Sequence, residues 1–361
     1  MKILHVITSL YTGGAERLMV DLLPLLEDKG KNEVDLLLIN GVETPFKSAI
    51  KKEGIKVYNL SMTNDVYNPK NILRMRPYLK KYDIIHTHNT ACQFFVPLAG
   101  LLNGKHPLLV TTEHNATNKR RSRVWFKPMD RWMYSQYAAI ICIADQTRHN
   151  LDGYIGKQDK ITTIYNGVDI DRFLKPINDI SGKNNYVITM VSAFRPQKDH
   201  ETLMRAMTHL PDNYRLQFVG GGENEDKDRL YSYCHKLGLE KRVEFLGVRY
   251  DVPVILERSD YVVLSSHWEG LSLSSVEGMA SGRPFIASDV DGLREIVGGS
   301  GLLFDHGDDV DLANKILHLS ENPDEYRSVA LSCQEKARQY DIKRMAKSYL
   351  DLYQDIIDKS Q

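Results

Sequence analysis

Short apolar runs alternate with amphipathic stretches along most of this 361-residue chain. The apolar runs predict strands, and the stretches with a 3.6-residue hydrophobic period predict helices between them. In the first half the predicted strands are residues 3–7, 34–39, 57–60, 84–87, 108–112 and 139–143. Regular alternation of strand and helix is typical of parallel sheets covered on both faces. We therefore predict the α/β class with doubly wound sheets.

The alternation stops near an Asn-Gly pair, Asn166 and Gly167, which marks a turn. Residues 172–185 are mostly polar and are predicted to form a linker. The alternation then restarts, with predicted strands at 187–191, 215–219, 243–246, 261–264 and 284–287. A single core rarely grows beyond about 300 residues, so two domains are expected, spanning 1–170 and 186–339. Interfaces between domains are favoured ligand sites, which predicts a cleft there.

Charge is divided unevenly between the two halves, although the whole chain is neutral. Residues 1–180 hold 25 Lys and Arg against 18 Asp and Glu, and the remainder holds 22 against 29. The first half is therefore expected to face an anionic partner. Four separated cysteines without metal-ligand spacing favour a reducing cytoplasm. No apolar run reaches 18 residues, and the short N-terminal run, broken by His5, predicts a strand rather than a signal peptide.

Two carboxylates, Glu269 and Glu277, follow the predicted strand 261–264. Ligands of open α/β sheets bind outside the carboxyl ends of strands, so both side chains could reach one ligand. Carboxylates accept hydrogen bonds from the hydroxyl groups of sugars and ribose. The alternative is a turn and a helix whose early acidic residue is favoured by the helix dipole.

Two cations, Arg195 and Lys198, follow the first predicted strand of the second domain. An arginine fork and a lysine point charge at this place suit a diphosphate, whereas the alternative is a solvated surface pair. Gly13 and Gly14 open the first helix and would let backbone amides approach an anion, although a tight turn explains them equally well. Neither domain opens on GxGxxG, which disfavours an NAD-dependent oxidoreductase.

Other strand ends carry weaker candidates. The backbone at Val248 and Arg249 could meet the edge of a nucleobase, or form an ordinary connection. His114 would reach the cleft and could hydrogen-bond a donor sugar or a forming alkoxide, although isolated histidines often have structural roles. His86 and His88 end another strand, with less support for a function.

A basic run in the first half is interleaved with aromatic residues. Its members are Lys119, Arg120, Arg121, Trp125, Arg123, Phe126, Lys127, Arg131 and Trp132. This composition favours contact with an anionic membrane surface. The alternatives are nucleic-acid binding and a solvated helix face above core aromatics, and we expect no nucleic-acid partner.

Two Asp-x-Asp triplets, 169–171 and 289–291, could hold a divalent cation on a nucleotide diphosphate. The first lies at the predicted linker. The second follows a strand, but Arg195 and Lys198 already offer positive charge to a diphosphate. We therefore interpret both triplets as loop chemistry and predict no metal cofactor.

The ordered motifs GGAER, TTEH, YNGVD, SAFRPQKD, GGGEN and E-x7-E resemble glycosyltransferase family 4, the retaining glycosyl transferases of group 1. The resemblance covers essentially the whole chain. It implies the GT-B fold, in which two Rossmann-like domains face each other across a cleft. It also implies that residues 340–361 form a helix returning to the N-terminal, acceptor-side domain.

The resemblance assigns a role to each candidate residue of the two domains. Gly13 and Gly14 would bring amides to the donor phosphates, and Arg195 and Lys198 would bind the diphosphate as it leaves. His114 would contact the donor sugar from the first domain.

In the second domain, Glu269 and the backbone of Gly270, Leu271 and Ser272 would contact the donor sugar. Glu277 would hold the ribose hydroxyls. Val248 and Arg249 complete the predicted donor site.

The activity implied is transfer of a hexose from a nucleotide sugar, with UDP expected, and with retention and no metal cofactor. The expected acceptor is a saccharide or a lipid-linked saccharide in polysaccharide or glycolipid assembly. The protein is then expected in the cytoplasm, peripheral to the inner membrane face. The alternatives are a sugar-nucleotide 2-epimerase of the same fold and a non-catalytic sugar-nucleotide sensor.

Overall fold

The computed structural model describes residues 1–11, 13–103, 107–114, 121, 123 and 125–360. The chain forms two compact units. Unit 1 contains Met1–Gly167 and Ile342–Gln361, and unit 2 contains Val168–Asp341. The polar residues 172–185, predicted as a linker, lie within unit 2, where Phe173 and Ile180 are buried.

Unit 1 contains one seven-stranded parallel sheet. Its strands are β1 (Lys2–Ile7), β2 (Glu33–Asn40), β3 (Lys56–Ser61), β4 (Ile84–His88), β5 (Leu108–Glu113), β6 (Ala139–Cys142) and β7 (Ile161–Thr163). Its first six helices are α1 (Gly14–Leu26), α2 (Pro45–Lys52), α3 (Lys70–Leu79), α4 (Thr90–Leu101), α5 (Phe126–Ser135) and α6 (Asp145–Ile155). The strand order is β3-β2-β1-β4-β5-β6-β7, which reverses direction between β1 and β4.

Both faces of this sheet are buried because successive side chains of a strand point to opposite sides. In β1, Ile3 and Ile7 belong to one hydrophobic cluster with helix α1. Leu4 and Val6 belong to a second cluster on the other face. The continuous apolar runs in the sequence therefore reflect burial on both sides.

Unit 2 repeats this architecture with six parallel strands. They are β8 (Tyr186–Val191), β9 (Tyr214–Val219), β10 (Val243–Gly247), β11 (Tyr261–Leu264), β12 (Phe285–Ser288) and β13 (Leu302–Phe304). The helices are α7 (Ile170–Phe173), α8 (His200–His209), α9 (Asn224–Lys236), α10 (Val252–Glu257), α11 (Leu273–Ala280), α12 (Asp291–Val297), α13 (Asp309–Glu321) and α14 (Pro323–Ala337). The strand order is β10-β9-β8-β11-β12-β13, so the reversal falls between β8 and β11.

The last helix, α15 (Ile342–Asp358), belongs to unit 1 although it follows unit 2 in sequence. Its buried face, which includes Met345, joins the cluster around α1. Two tyrosines of this helix reach the sheet: the Tyr353 hydroxyl lies 2.5 Å from His86 Nδ1, and the Tyr349 hydroxyl 3.1 Å from Thr112 Oγ1. The C-terminal segment therefore completes the core of unit 1.

The prediction of two doubly wound α/β domains is confirmed. In both units the strand order is that of a Rossmann sheet, for which ligands are expected at the reversal point. Within the described part of the chain, no helix combines the length and apolar character needed to span a membrane.

Candidate functional site

Two loops of unit 2 meet at the reversal point of its sheet, after β8 and after β11. The first contains a 3-10 turn, Pro196–Lys198, and ends at Asp199, which has a left-handed backbone with φ 46°. The His267 N–H donates to the Gln197 carbonyl at 2.8 Å, and the Gln197 side-chain amide donates to the Trp268 carbonyl at 2.8 Å. These bonds fix one loop against the other.

Lys198 and Glu269 form an ion pair between the two loops. Their side chains are 15% and 6% exposed, and the Ser266 hydroxyl also donates to Glu269 Oε1 at 2.6 Å. Arg195 lies three residues before Lys198 with an exposed side chain. The structure thus brings Lys198 and Glu269 into contact, and Arg195 adds a second cation to the same loop. The Lys198–Glu269 pair was not predicted from the sequence.

Helix α11 begins directly after this second loop. Its N-cap residue, Ser272, makes no side-chain capping bond, so the Ser272 side chain does not block an anion from the backbone N–H groups that precede Ser275. The Ser275 N–H itself donates to the Ser272 carbonyl at 3.1 Å. Gly270 has open space where a side chain would stand, while Leu271 and Ser272 are buried. Glu277 lies on this helix, partly buried.

Neighbouring strand ends pack closely on this region. Gly220, with φ 151°, approaches Ser192 so closely that a Cβ atom would lie 1.9 Å from the Ser192 carbonyl oxygen. This contact requires glycine and explains part of the Gly-Gly-Gly sequence.

Val248 is 62% exposed, and the Arg249 guanidinium is held by Asp251 through hydrogen bonds of 2.8 and 2.6 Å. Arg249 therefore offers its backbone more readily than its guanidinium.

In unit 1, Gly13 is the N-cap of α1 and has extended backbone, and Gly14 is the first helical residue. The carboxylate of Glu16 folds back over this end, since a Cβ on Gly13 would lie 2.3 Å from Glu16 Oε2. Burial raises the pKa of Glu16, although bonds to its own backbone N–H and to Asn89 oppose the shift. A phosphate at this helix end would therefore have to displace an acidic side chain that the sequence analysis did not consider.

A polar cavity of about 450 Å³ opens at the reversal point of the unit 1 sheet. Its lining residues are Thr8, Ser9, Tyr11, Asn40, Asn64, Val66, Tyr67, Asn89, Thr90 and Ala91. Asn89 follows β4 with φ 71°, and its amide donates to Thr8 Oγ1 at 2.9 Å. Non-glycine residues rarely adopt this conformation, which is found disproportionately at functional sites. Because the lining is rich in hydroxyl and amide groups, the cavity suits a saccharide.

His114 ends a chain of three histidines across the sheet of unit 1. His114 Nε2 lies 3.0 Å from His88 Nδ1, and His88 Nε2 lies 2.9 Å from His5 Nδ1. Each neutral imidazole has one donor and one acceptor nitrogen, so the tautomer of His114 is coupled through His88 to that of His5. His114 could be selected from the sequence, but this row of histidines could not, because His5 lies on β1, His88 ends β4 and His114 follows β5.

Burial keeps these histidines neutral. It lowers the pKa of His5 to about 3 and of His114 to about 4, and it holds the pKa values of His86 and His88 well below the ordinary value. The neighbouring histidines reinforce the shift at His86 and His88, whereas Glu113 opposes it at His114.

Acid should therefore destabilise unit 1. An unfolded histidine takes up its proton near pH 6.5, whereas these residues do so only at much lower pH, so stability is lost as the pH falls below 6.5. We expect the free energy of unfolding to decrease by about 1.4 kcal/mol per pH unit for each such histidine. Chemical unfolding at several pH values between 7 and 5 measures this slope.

His5→Leu provides the matched test, because it removes one buried imidazole. Its slope should be smaller than that of the wild-type protein. His209→Leu is the control, since His209 is an exposed partner of Asp309 on α8. Equal slopes for His5→Leu and the wild-type protein would contradict the assignment of His5 as a neutral buried group.

Some residues of the basic-aromatic run pack within unit 1 and are not free to bind a partner. Lys119 and Arg120 lie outside the described residues. Arg121 is 9% exposed and pairs with buried Glu113 at 2.7 Å, so its charge is not offered to solvent. Trp132 packs against the core of unit 1, whereas Trp125 is 79% exposed.

An arginine side chain pairs with both carboxylates of the second Asp-x-Asp triplet. Arg294 pairs with Asp289 at 2.6 Å and with Asp291 at 3.1 Å. Both carboxylates have a cationic partner, so a divalent cation would have to displace Arg294.

Comparison with known proteins gives two family matches in series. The family described as Glycosyltransferase Family 4 matches residues 12–172, and Glycosyl transferases group 1 matches residues 172–340. The UDP-Gal:α-D-GlcNAc-diphosphoundecaprenol α-1,3-galactosyltransferase of Escherichia coli is 29% identical over 327 residues, covering 83% of this chain and 82% of that protein.

Solved structures agree at the level of the fold. The Anabaena protein HepE, crystallised with UDP, has a TM-score of 0.86 at 23% identity, covering 98% of this chain and 100% of HepE. Sucrose-phosphate synthase from Thermosynechococcus elongatus has a TM-score of 0.79 at 20% identity, covering 99% of this chain and 100% of that enzyme. With the family matches spanning residues 12–340 in order, this chain belongs to glycosyltransferase family 4 and has the GT-B fold.

Proposed function

We propose that this protein is a retaining hexosyltransferase that moves a sugar from UDP to a lipid-linked saccharide in polysaccharide or glycolipid assembly. The observation that carries the proposal is the Lys198–Glu269 pair at the reversal point of the unit 2 sheet. The E. coli relative, whose name gives UDP-Gal as donor and a diphosphoundecaprenol-linked sugar as acceptor, supports the choice of substrates.

The chemical problem is departure of a diphosphate. Negative charge builds on the β-phosphate oxygen as the bond to the sugar lengthens, and preorganised cations and N–H groups stabilise it. Lys198, Arg195 and the uncapped amides of α11 supply both kinds of group. With these cations at the strand end, we propose that transfer needs no metal ion.

The remaining contacts follow from the same arrangement. Glu269 would contact the donor sugar while holding Lys198 in place, and Glu277 would bind the ribose hydroxyls. The exposed backbone at Val248 and Arg249 would meet the uracil. His114, neutral because its pKa is lowered by burial, would exchange hydrogen bonds with a sugar hydroxyl.

The polar cavity of unit 1 is the proposed acceptor site. Attack of the acceptor hydroxyl on the face from which UDP departs would retain the anomeric configuration, with the departing phosphate accepting the hydroxyl proton. Gly13 and Gly14 would contact the donor phosphates only if the Glu16 carboxylate moved away from the N-terminus of α1.

A panel of UDP-hexoses, assayed with GlcNAc-diphosphoundecaprenol, tests the proposal. We expect transfer that depends on the acceptor, with an α-linkage in the product by NMR when the donor is an α-linked UDP-hexose. Donor consumption without acceptor, giving a 2-epimer, would establish the epimerase alternative. Donor binding without turnover across an acceptor panel would favour the sensor.

Unit 1 also presents a surface suited to a membrane that carries such an acceptor. Trp125, Pro128 and Met129 are exposed at the start of α5, at spacings that place them on one side of a helix. Arg123 and Arg131 are exposed beside them. Aromatic and basic side chains in this combination bind anionic bilayer surfaces, so we propose peripheral association with the cytoplasmic membrane face.

Vesicle flotation tests this association. We expect wild-type protein to float with anionic vesicles and not with neutral ones. Trp125→Ala combined with Arg131→Glu should weaken binding at least about fivefold, since one basic side chain near such a surface contributes about 1 kcal/mol. Trp268→Ala is the control, because Trp268 is a 59% exposed tryptophan of unit 2. Equal flotation of the wild-type protein and both variants would show that this surface does not bind the membrane.

A further inference from the structure

Three potential metal ligands from three loops of unit 2 lie close together. They are Asp199 after β8, His267 after β11 and His306 after β13, and their ligand atoms all lie within 4.8 Å of one another. His267 Nδ1 is 2.7 Å from His306 Nε2 and 3.7 Å from Asp199 Oδ2. We propose that these residues bind a divalent transition-metal ion of the zinc type.

The ligand set and its distances suit such an ion. Zinc accepts imidazole nitrogen and carboxylate oxygen at about 2.0–2.2 Å, so two ligands of a tetrahedral ion lie roughly 3.3 Å apart. The observed separations, 2.7 and 3.7 Å, fall on either side of that value. The ligand atoms of Asp199 and His306 lie within 4.8 Å of each other, so small side-chain rotations would bring all three ligands to one ion and leave the fourth position for water.

Asp199 is a fixed ligand, whereas the two histidines can adjust. Its carboxylate accepts bonds from the Thr202 N–H at 3.2 Å and from the Thr202 hydroxyl at 2.5 Å, as the N-cap of α8. His267 is 39% exposed and His306 is exposed, so an ion can enter from solvent. A fixed, buried carboxylate beside two accessible imidazoles can chelate an ion that arrives from solvent.

A second group of histidines, His5, His86 and His88 in unit 1, is also compact but is explained without an ion. Both ring nitrogens of His86 and of His88 already have hydrogen-bond partners, and the three residues are fully buried. Metal binding there would break several buried hydrogen bonds that water cannot replace, whereas at the exposed site it would exchange the His267–His306 bond for bonds to the ion. Among the described residues, the proposal therefore concerns the exposed site alone.

The ion would join three loops that are otherwise separate in sequence. One of them carries Arg195 and Lys198, and another leads to Glu269. Binding should therefore restrict the loops that form the proposed donor site and raise the unfolding temperature of unit 2. The proposal is independent of the proposed function, because it concerns ion binding and not transfer.

Calorimetric titration of untagged, chelator-treated protein with Zn²⁺ tests the site. We expect one Zn²⁺ bound per chain, an upward shift of the unfolding temperature, and no comparable binding of Mg²⁺, which prefers oxygen ligands. Co²⁺ should bind in place of Zn²⁺ and give visible absorption of a low-coordinate ion.

The variants assign the ligands. His267→Ala and His306→Ala should each weaken Zn²⁺ binding at least about tenfold and abolish the temperature shift. Asp199→Asn should also weaken binding while preserving the N-cap, since asparagine caps helices as well as aspartate does. His318→Ala is the matched control, because His318 is an exposed histidine paired with Glu325 at 2.7 Å.

Absence of Zn²⁺ binding by the wild-type protein would overturn the proposal. So would undiminished binding by His267→Ala and His306→Ala, or an equal loss in His318→Ala. Loss confined to His267→Ala, His306→Ala and Asp199→Asn supports it.

Discussion

Lys198→Ala is expected to lower transferase turnover about 10²–10³-fold, the usual effect of losing one group that stabilises developing negative charge. Lys198 is the less exposed cation of the loop after β8, and it is oriented by its ion pair with Glu269. It can therefore meet the departing phosphate without reorganisation. Turnover measured as UDP release, with circular dichroism to verify folding, gives the result.

The pairing with Glu269 offers a second explanation that the experiment must separate. Lys198→Ala leaves Glu269 without its cation, and an unpaired, largely buried carboxylate is itself unfavourable. If neutralising Glu269 were the only role of Lys198, the double variant Lys198→Ala/Glu269→Gln would have the same turnover as Glu269→Gln alone. We expect the double variant to be far slower than Glu269→Gln.

Lys315→Ala is the matched control, since Lys315 forms an i,i+4 pair with Asp311 on α13. It should have wild-type turnover. Wild-type turnover in folded Lys198→Ala would refute the role of the lysine.

The layered fold could be predicted from sequence because its signals are local. Buried strands such as β6 and β11 are continuous apolar runs, and each helix between strands has its own hydrophobic period. The three-residue strands β7 and β13 were missed, since Ile161–Thr163 and Leu302–Phe304 are too short to show a pattern. Such edge strands are specified by pairing with a neighbour, which is a tertiary interaction.

The site could be predicted only as separate residues. Lys198 and Glu269 are 71 positions apart, and nothing in the local sequence of either indicates that they form a pair. Ligands of open α/β sheets bind at the carboxyl ends of strands, and this rule located both residues. Their contact, however, depends on β8 and β11 being neighbours in the sheet. The same holds for His5, His88 and His114 in unit 1.

Charge patterns in the sequence were the least reliable guide to surfaces. Arg121 belongs to a dense basic run, yet it is largely buried in a network with Glu113 and Tyr134. Arg249, placed in the donor site, is paired with Asp251. The fold decides whether a formal charge is exposed, buried or paired with a counterion, and the linear sequence does not record that pairing.

Glu277→Ala is expected to weaken UDP binding about 10–150-fold. A carboxylate that accepts hydrogen bonds from the ribose hydroxyls contributes about 1.5–3 kcal/mol for a charge-assisted bond, which corresponds to this range of affinity. Glu277 lies on α11, whose N-terminus follows the loop of Glu269, so the helix can present it to the nucleoside while its first amides face the phosphates. Isothermal titration with UDP measures the change.

A ligand lacking the ribose hydroxyls identifies the contact. The wild-type protein should bind 2′,3′-dideoxy-UDP more weakly than UDP, whereas Glu277→Ala should bind the two ligands almost equally, because the acceptor of those hydroxyls is gone. Glu325→Ala, at an exposed glutamate of α14, should discriminate as the wild-type protein does. If Glu277→Ala weakened both ligands by the same factor, the carboxylate would be supporting the structure of α11, and the ribose contact would have to be assigned to another residue.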